Sequence, residues 1–294
     1  MKVFVTGATG FVGTVVVQEL IRAGHQVTGL ARSDAAEQKL RAAGVDVHRG
    51  SLEDTDSLRE AARAADGIIH LGFIHDFTNY AVSAEVDRQA ILAMGSELEG
   101  TDKPIILTSG TLLLTPGKLG TEQDRPSAHA TRHSEKAADE LVQRGIRAAV
   151  VRLAPTVHGE GDHGFIHTLI ELAREKGFSA YVGDGSNRWS AVHRLDAAVL
   201  FRKALEQAEA GSRLHGVDEG SIEFKTIAEV IGRHLNVPVT SIPPEQAAEH
   251  FGWIQFAAAA DTPISSDLTR QWLDWEPSHI GLLEDLEAGH YFTN

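Results

Sequence analysis

The sequence predicts a doubly wound α/β fold, with a mainly parallel sheet and a smaller C-terminal lobe. Three observations carry that expectation. Short apolar runs alternate with amphipathic stretches of helical period. The first run, in MKVFVT, is followed at once by Gly7, Gly10 and Gly13, and then by an apolar helix face of Val16, Val17, Leu20 and Ile21. A chain of 294 residues, 42% of them hydrophobic, is long enough for one large α/β unit plus a lobe.

The glycine turn is the most informative stretch. A strand, a tight turn and a helix start at this spacing suit a pyrophosphate. Gly7 permits a sharp turn, Gly10 lets the backbone approach the phosphates, and Gly13 lets the helix pack close to the strand. Free N–H groups at the helix N-terminus, helped by the macrodipole, hold the anion, so Thr9, Phe11 and Val12 join the three glycines as cofactor contacts.

Bulk properties narrow the function classes. Lys+Arg number 27 against 41 Asp+Glu, a formal net charge of −14, which disfavours nucleic acid and anionic membranes as partners. There is no cysteine, which excludes thiol catalysis, disulfides and Cys-type zinc sites. No basic and apolar leader precedes the first strand and no apolar run is long enough to span a bilayer, so the expectation is a cytoplasmic protein with a small-molecule substrate.

After the first helix, which Gly24 caps, HQVTGLAR reads as the second strand. In such folds an acidic residue at the end of this strand bonds the ribose 2′-hydroxyl, whereas an arginine accommodates a 2′-phosphate. Here the strand ends in Ala31, Arg32 and Ser33, which favours NADP(H); Asp34 follows and weighs the other way, and NAD(H) stays open. AAEQKLRAAG is an amphipathic helix, VDVHRG a third strand, and the stretch 51–66 a loop and helix. Gly67–Phe73 form a fourth buried strand whose end, with Leu71, Gly72 and Phe73, approaches the nicotinamide ribose, because ligands of open α/β sheets sit at the carboxyl ends of strands. A loop holding His75, Asp76 and Tyr80 leads into a long helix; loop polar groups at such ends are substrate-contact candidates. KPIILTSG is the fifth strand, ending in Thr108, Ser109, Gly110 and Thr111, and Ala148–Leu153 the sixth. An irregular connection, LLLTPGKLGTEQDRPSAHA, covers the cleft between them.

TGATGFVG resembles the fingerprint of the short-chain dehydrogenase/reductase superfamily, in its extended or atypical, epimerase/dehydratase-like branch. Later motifs match too: RLAPTVHG after the sixth strand, VGDGSNRWSAVHRLDAA, and DLTRQWLDWEP near the end. The resemblance implies a Rossmann-type NAD(P)-binding domain over 1–155 and 190–213, and a substrate-binding lobe over 156–189 and 214–294. It places Ser51 and Leu52 against the adenine, Leu153 and Pro155 at the nicotinamide end, and Ser109 or Thr111 on the substrate oxygen. His158, Arg188 and His193 face the substrate, with Thr156, Val157 and Trp189 beside them, while Asp196 caps a helix. A homodimer through the helices around 83–98 and 132–144 is implied as well.

The departure lies in the next helix, RHSEKAADELVQRG, where the superfamily carries Tyr-x-x-x-Lys. Lys136 is present and is expected on the nicotinamide ribose. Arg132 stands at the tyrosine position, and arginine stays protonated at neutral pH. The replacement proton donor is then His133, His158 or water. Two histidine pairs have i, i+4 spacing, His163 with His167 and His129 with His133, but no further ligand completes either, and no metal is expected. The sequence thus reads as an NADP(H)-dependent oxidoreductase acting on a small carbonyl or alcohol. Two alternatives stay open: a nucleotide-sugar epimerase or dehydratase, and a nicotinamide-binding sensor without turnover.

Overall fold

The structure is a computed structural model that describes residues 1–293 apart from Phe77 and His129. Strands β1 (Lys2–Thr6), β2 (Gln26–Ala31), β3 (Asp46–Arg49), β4 (Gly67–His70), β5 (Ile105–Gly110) and β6 (Ala148–Leu153) alternate with helices α1 (Phe11–Arg22), α2 (Asp34–Ala42), α3 (Thr55–Ala64), α4 (Tyr80–Ser96) and α5 (Ser134–Gln143). Then follow β7 (Thr156–His158), α6 (Phe165–Lys176), β8 (Ser179–Val182), β9 (Arg188–His193), α7 (Arg194–Gln207) and β10 (Arg213–Gly216). The chain ends through β11 (Glu219–Glu223), α8 (Phe224–Leu235), β12 (Val239–Ile242) and four short helices, α9 (Ala247–Phe251), α10 (Gln255–Ala258), α11 (Asp267–Leu273) and α12 (Leu282–Glu287).

Seven strands form one parallel sheet in the order β3-β2-β1-β4-β5-β6-β10. Side-chain alternation splits its residues between two cores. Val3, Val5, Ile69, Ile106, Ala149 and Val151 pack with Val16 and Leu20 of α1 and Phe201 of α7. Phe4, Ile68, Ile105, Leu107 and Val150 pack instead with Leu58, Ile91 and Leu141 of α3, α4 and α5. Near-continuous apolar strands are therefore what a sheet covered on both faces requires. A third core, around Trp189, Phe224 and Phe251, belongs to the smaller sheets β11-β9-β7 and β12-β8. The large sheet runs on through β10 to Gly216, past residue 213, while residues 190–193 lie in β9 of the three-stranded sheet, paired with β7 and β11.

Two element boundaries differ from the expected ones, and both bear on the site. Strand β4 stops at His70 because its partner β1 ends at Thr6, where Gly7 turns away with φ 68°. Leu71 and Gly72 instead donate their N–H groups to the Thr6 carbonyl and the Thr6 hydroxyl. Helix α5 starts at Ser134, with His133 as its N-cap, so Arg132 precedes the helix. No helix among the described residues is long and apolar enough to cross a membrane.

Candidate functional site: a groove across the strand ends

A groove crosses the carboxyl ends of the parallel strands where the strand order reverses at β1 and β4, the position at which open α/β sheets bind ligands. Its first half is a cleft of about 610 Å³ lined by Gly7, Thr9, Arg32, Ser51, Leu52 and Gly72, among others. Its second half, about 460 Å³, is lined by Gly10, Phe11, Val12, Gly13, Leu71, Thr108, Ser109, Leu153 and Pro155. Gly7, Phe73 and His75 line both.

The three glycines have different physical reasons. A Cβ on Gly13 would lie 2.0 Å from the Gly7 carbonyl oxygen, and one on Gly7 would lie 2.7 Å from the Gly72 nitrogen. Both are demanded by the protein's own packing. Gly10 is not: its φ is −76° and its Cβ would meet only the Gly7 oxygen, at 3.2 Å. The space kept clear at Gly10 opens onto the groove, at the N-terminus of a helix with no side-chain cap and no acid in its first turn. That is a cradle a pyrophosphate fits.

The first half is lined by two exposed cations, Arg32 after β2 and Lys39 of α2, and by the carboxylates Glu53 and Asp76. Neither cation makes an ion pair among the described residues. Asp34, the residue that weighs against a phosphate, pairs with Arg49 at 3.0 Å, and the same guanidinium reaches Glu37 at 3.4 Å. Ser33 accepts the Ala36 N–H as the N-cap of α2.

The second half is organised by a buried polar chain. The Thr6 hydroxyl accepts from Gly72 and lies 2.7 Å from His70 Nδ1; His70 Nε2 lies 3.1 Å from Asp87. A neutral ring satisfies all three contacts, accepting the Thr6 proton at Nδ1 and donating from Nε2. Asp87 also accepts from Ser134 at 2.7 Å, and Ser134 accepts from Arg132 Nε at 2.8 Å. Burial pushes the Asp87 carboxyl up, but the His70 bond, with the charge of Arg132 and the Ser134 bond, outweighs it and holds the group below its usual range. Arg132 comes to rest over the Phe73 ring, 4.4 Å from its centroid, and lines the groove. The His75 pKa is lowered, first by burial and then by the charges of Arg132 and His163.

The structure places the other residues expected at the site as follows. Lys136 is exposed and outside both halves of the groove, because α5 begins only two residues earlier and turns the side chain away. Ser109 lines the groove but donates its hydroxyl to Glu135 at 3.0 Å. Glu135 is itself held by Arg152, through both carboxylate oxygens at 2.8 Å, and by Arg213 at 2.9 Å. Thr111 is buried outside the groove lining. His133 is the α5 N-cap and lines neither half. His158 is buried and bound to Asp285 at 2.8 Å. Arg188 is engaged by Asp261, with Nε at 2.8 Å and Nη2 at 2.6 Å, away from the groove. Thr156 and Trp189 are buried and hydrogen-bonded to each other, while Val157 does line the groove. His193 caps α7 by accepting from Leu195 and stacks on His279 at 4.8 Å. Asp196, rather than capping α7, accepts from Ser278, from the His279 backbone and from the His279 ring. His193, Asp196 and His279 form a compact polar group whose hydrogen bonds already join α7 to the 275–279 turn. His163 lies just before α6 and lines the groove, and the pair of His129 with His133 falls outside the described residues.

Sequence reasoning missed Lys39, His163 as a groove residue, and Phe165. For Lys39 a signal existed: it lies about one turn and a half into α2, which starts at Asp34, two residues after Arg32. For the others there was none, since the lobe's docking decides what reaches the groove.

The family model for the NAD-dependent epimerase/dehydratase family matches residues 3–217. The chain belongs to that family. A nicotinamide dinucleotide is accordingly the expected occupant of the groove, whose cradle at Gly10 fits it. An uncharacterized protein of Saccharomyces cerevisiae is 47% identical, covering 99% of each chain. The 4-hydroxy-2-methyl-3-oxo-4-farnesyl-3,4-dihydroquinoline-1-oxide ketoreductase of Stigmatella aurantiaca is 25% identical over 86% of this chain and 80% of its own. Among solved structures, the UDP-glucose 4-epimerase of Thermotoga maritima superposes with a TM-score of 0.78 at 17% identity, covering 99% and 98% of the two chains, a likeness of fold.

Proposed function

We propose that the protein is an NADP(H)-dependent reductase of carbonyl compounds, with the alcohol oxidation as its reverse. The observation that carries the reading is the groove itself, with an unpaired cation pair, Arg32 and Lys39, at one end and a walled apolar pocket at the other. An Arg at the end of the second strand, with a Lys lining the same cleft, is what a 2′-phosphate asks for, and Asp34, two residues after Arg32, is paired with Arg49. Gly10 and the α1 N-terminus take the pyrophosphate.

The bound dinucleotide supplies the hydride. The chain supplies the walls, the orientation and the proton. With Lys136 outside the groove and Ser109 donating to Glu135, the proton-bearing groups that line the reaction end are the imidazoles of His75 and His163. Unprotonated, His75 would accept the proton in alcohol oxidation; protonated, it would donate it in carbonyl reduction, a state its lowered pKa confines to more acid solution. The Stigmatella relative, a ketoreductase by name, supports a ketone as substrate.

One observation favours a second reading, a nicotinamide-binding protein without turnover: the hydroxyl expected on the substrate oxygen is already committed to Glu135. Steady-state oxidation of NADPH with a panel of ketones and aldehydes separates the two. Substrate-dependent loss of the reduced-cofactor absorbance, abolished or strongly reduced in His75→Phe or His163→Phe, is the expected result; NADPH binding with no turnover on any carbonyl overturns the reductase in favour of the binding protein.

A further inference from the structure

We propose that Arg132 anchors an anionic group, a carboxylate in the simplest case, on a carbonyl substrate whose body is apolar. The inference rests on the reductase reading above and adds the substrate class to it. Among the described residues lining the second half of the groove, Arg132 is the one side chain with a permanent charge, and no carboxylate lines that half. The guanidinium is held rather than quenched. Its Nε is tied to Ser134, its plane rests near Phe73, and the Asp87 carboxylate behind it stays 3.8 Å from Nη2, beyond hydrogen-bond reach, with its oxygens bonded to His70 and Ser134. Donors on the terminal nitrogens are thereby left for a ligand, in the planar fork that matches a carboxylate. Among the described residues the ion pair of Arg132 is with Asp87, at 3.8 Å and without a hydrogen bond, so an anion on the substrate supplies the direct contact that Asp87 does not.

The remaining walls set the rest of the molecule. Leu71, Leu112, Leu153 and Val157 offer no polar group, and Phe165 closes the pocket from the smaller lobe. Phe165 continues outward into Trp253, 5.7 Å away between centroids, and Phe256, at 6.3 Å, which are 51% and 58% exposed. An aromatic ledge thus leads from the pocket to the surface, along which the apolar body of the substrate extends.

The test compares acid and ester. Phenylpyruvate, its methyl ester and 4-phenyl-2-butanone are assayed with NADPH against the wild type, Arg132→Lys and Arg132→Met. The expected result is a preference of the wild type for the acid of about 10- to 100-fold in kcat/KM, the range of a charge-assisted hydrogen bond. That ratio falls toward one in Arg132→Met and is partly kept in Arg132→Lys. Turnover of all three compounds without preference for the acid overturns the anchor and leaves the reductase standing. A parallel loss of NADPH affinity in Arg132→Met, equal to the loss for the acid, also overturns it, because the arginine then serves the cofactor. If no compound is reduced, the reductase reading fails, and calorimetric titration of the NADP⁺-loaded protein with 3-phenylpropionate decides the anchor alone. Arg132-dependent binding upholds it and no binding overturns it. Should Arg132→Met fail to fold, the wild-type acid-to-ester ratio still decides.

Discussion

The two ends of the groove are built from different materials. The part that fits a dinucleotide is largely backbone: a positive-φ turn at Gly7, an α1 N-terminus without a side-chain cap that runs into the second half, and a strand end that leaves Arg32 exposed. The reaction end is side chains from separate elements: Phe73 after β4, Ser109 on β5, Arg132 before α5, and His163 before α6. Behind it stand two buried polar assemblies, His70–Asp87–Ser134 and Glu135–Arg152–Arg213. Backbone constrains composition at fixed spacing and tolerates no exchange. Side-chain assemblies can trade members while the fold stays.

The sharpest way to break the comparison is at Glu135, which lies in the reaction-end scaffold. Replacing it by Ala leaves the fully buried Arg152 without a carboxylate and Arg213 with Asp139 as its remaining one, and the expected cost is about 3–5 kcal/mol in urea unfolding. A loss below about 1 kcal/mol would show that the assembly is not structural. At the dinucleotide end, Gly13→Ala and Gly10→Ala should part company. The first forces a Cβ into the Gly7 carbonyl and should cost about 1–3 kcal/mol of stability or more. The second meets the Gly7 oxygen at 3.2 Å, a contact a small shift relieves, and should cost less, about 1 kcal/mol or below, yet lose dinucleotide affinity, because its remaining sides face the groove. Equal stability losses for the two would erase the distinction.

Arg32→Ala should weaken NADPH binding by roughly 1.5–3 kcal/mol and NADH binding hardly at all, with Lys39→Ala giving the same selectivity at about 0.5–1 kcal/mol. Equal losses for both cofactors would sink the phosphate assignment. The smallest effect concerns acid. Burial, then His158 and His279, lower the His193 pKa to about 4, and burial beside Arg152 lowers that of His215. The unfolded chain takes up these protons near pH 6.5 and the folded chain does not, so stability is full above about 6.5 and falls as the pH drops toward 4. His193→Asn keeps a helix cap without a titrating ring and should flatten that slope in thermal melts between pH 7.5 and 5; since the ring is half-exposed, the change is modest.

Much of the sheet and the dinucleotide end was legible because each depends on local rules. Short continuous apolar runs, glycines at required spacing and a strand-end arginine are each set by residues close together in the chain. The reaction end was not legible in that way. Placing Lys136 on the ribose assumed a helix that includes residue 132, but the bond from Ser134 to Asp87, 47 residues away, fits a start at 134 and sends Arg132 inward in its stead. His158 and Arg188 look like substrate contacts until Asp285 and Asp261 claim them, partners 127 and 73 residues distant. Long-range carboxylates decide which polar side chains stay free, and nothing in the local sequence announces them.

The central claim is that the groove selects NADP(H) through its two unpaired cations. The most direct measurement is titration of the protein with NADPH and with NADH, followed by nicotinamide fluorescence at the same ionic strength. The account predicts that NADPH binds at least about tenfold more tightly, the effect of one charge-assisted contact. Equal affinities, or tighter binding of NADH, would contradict it.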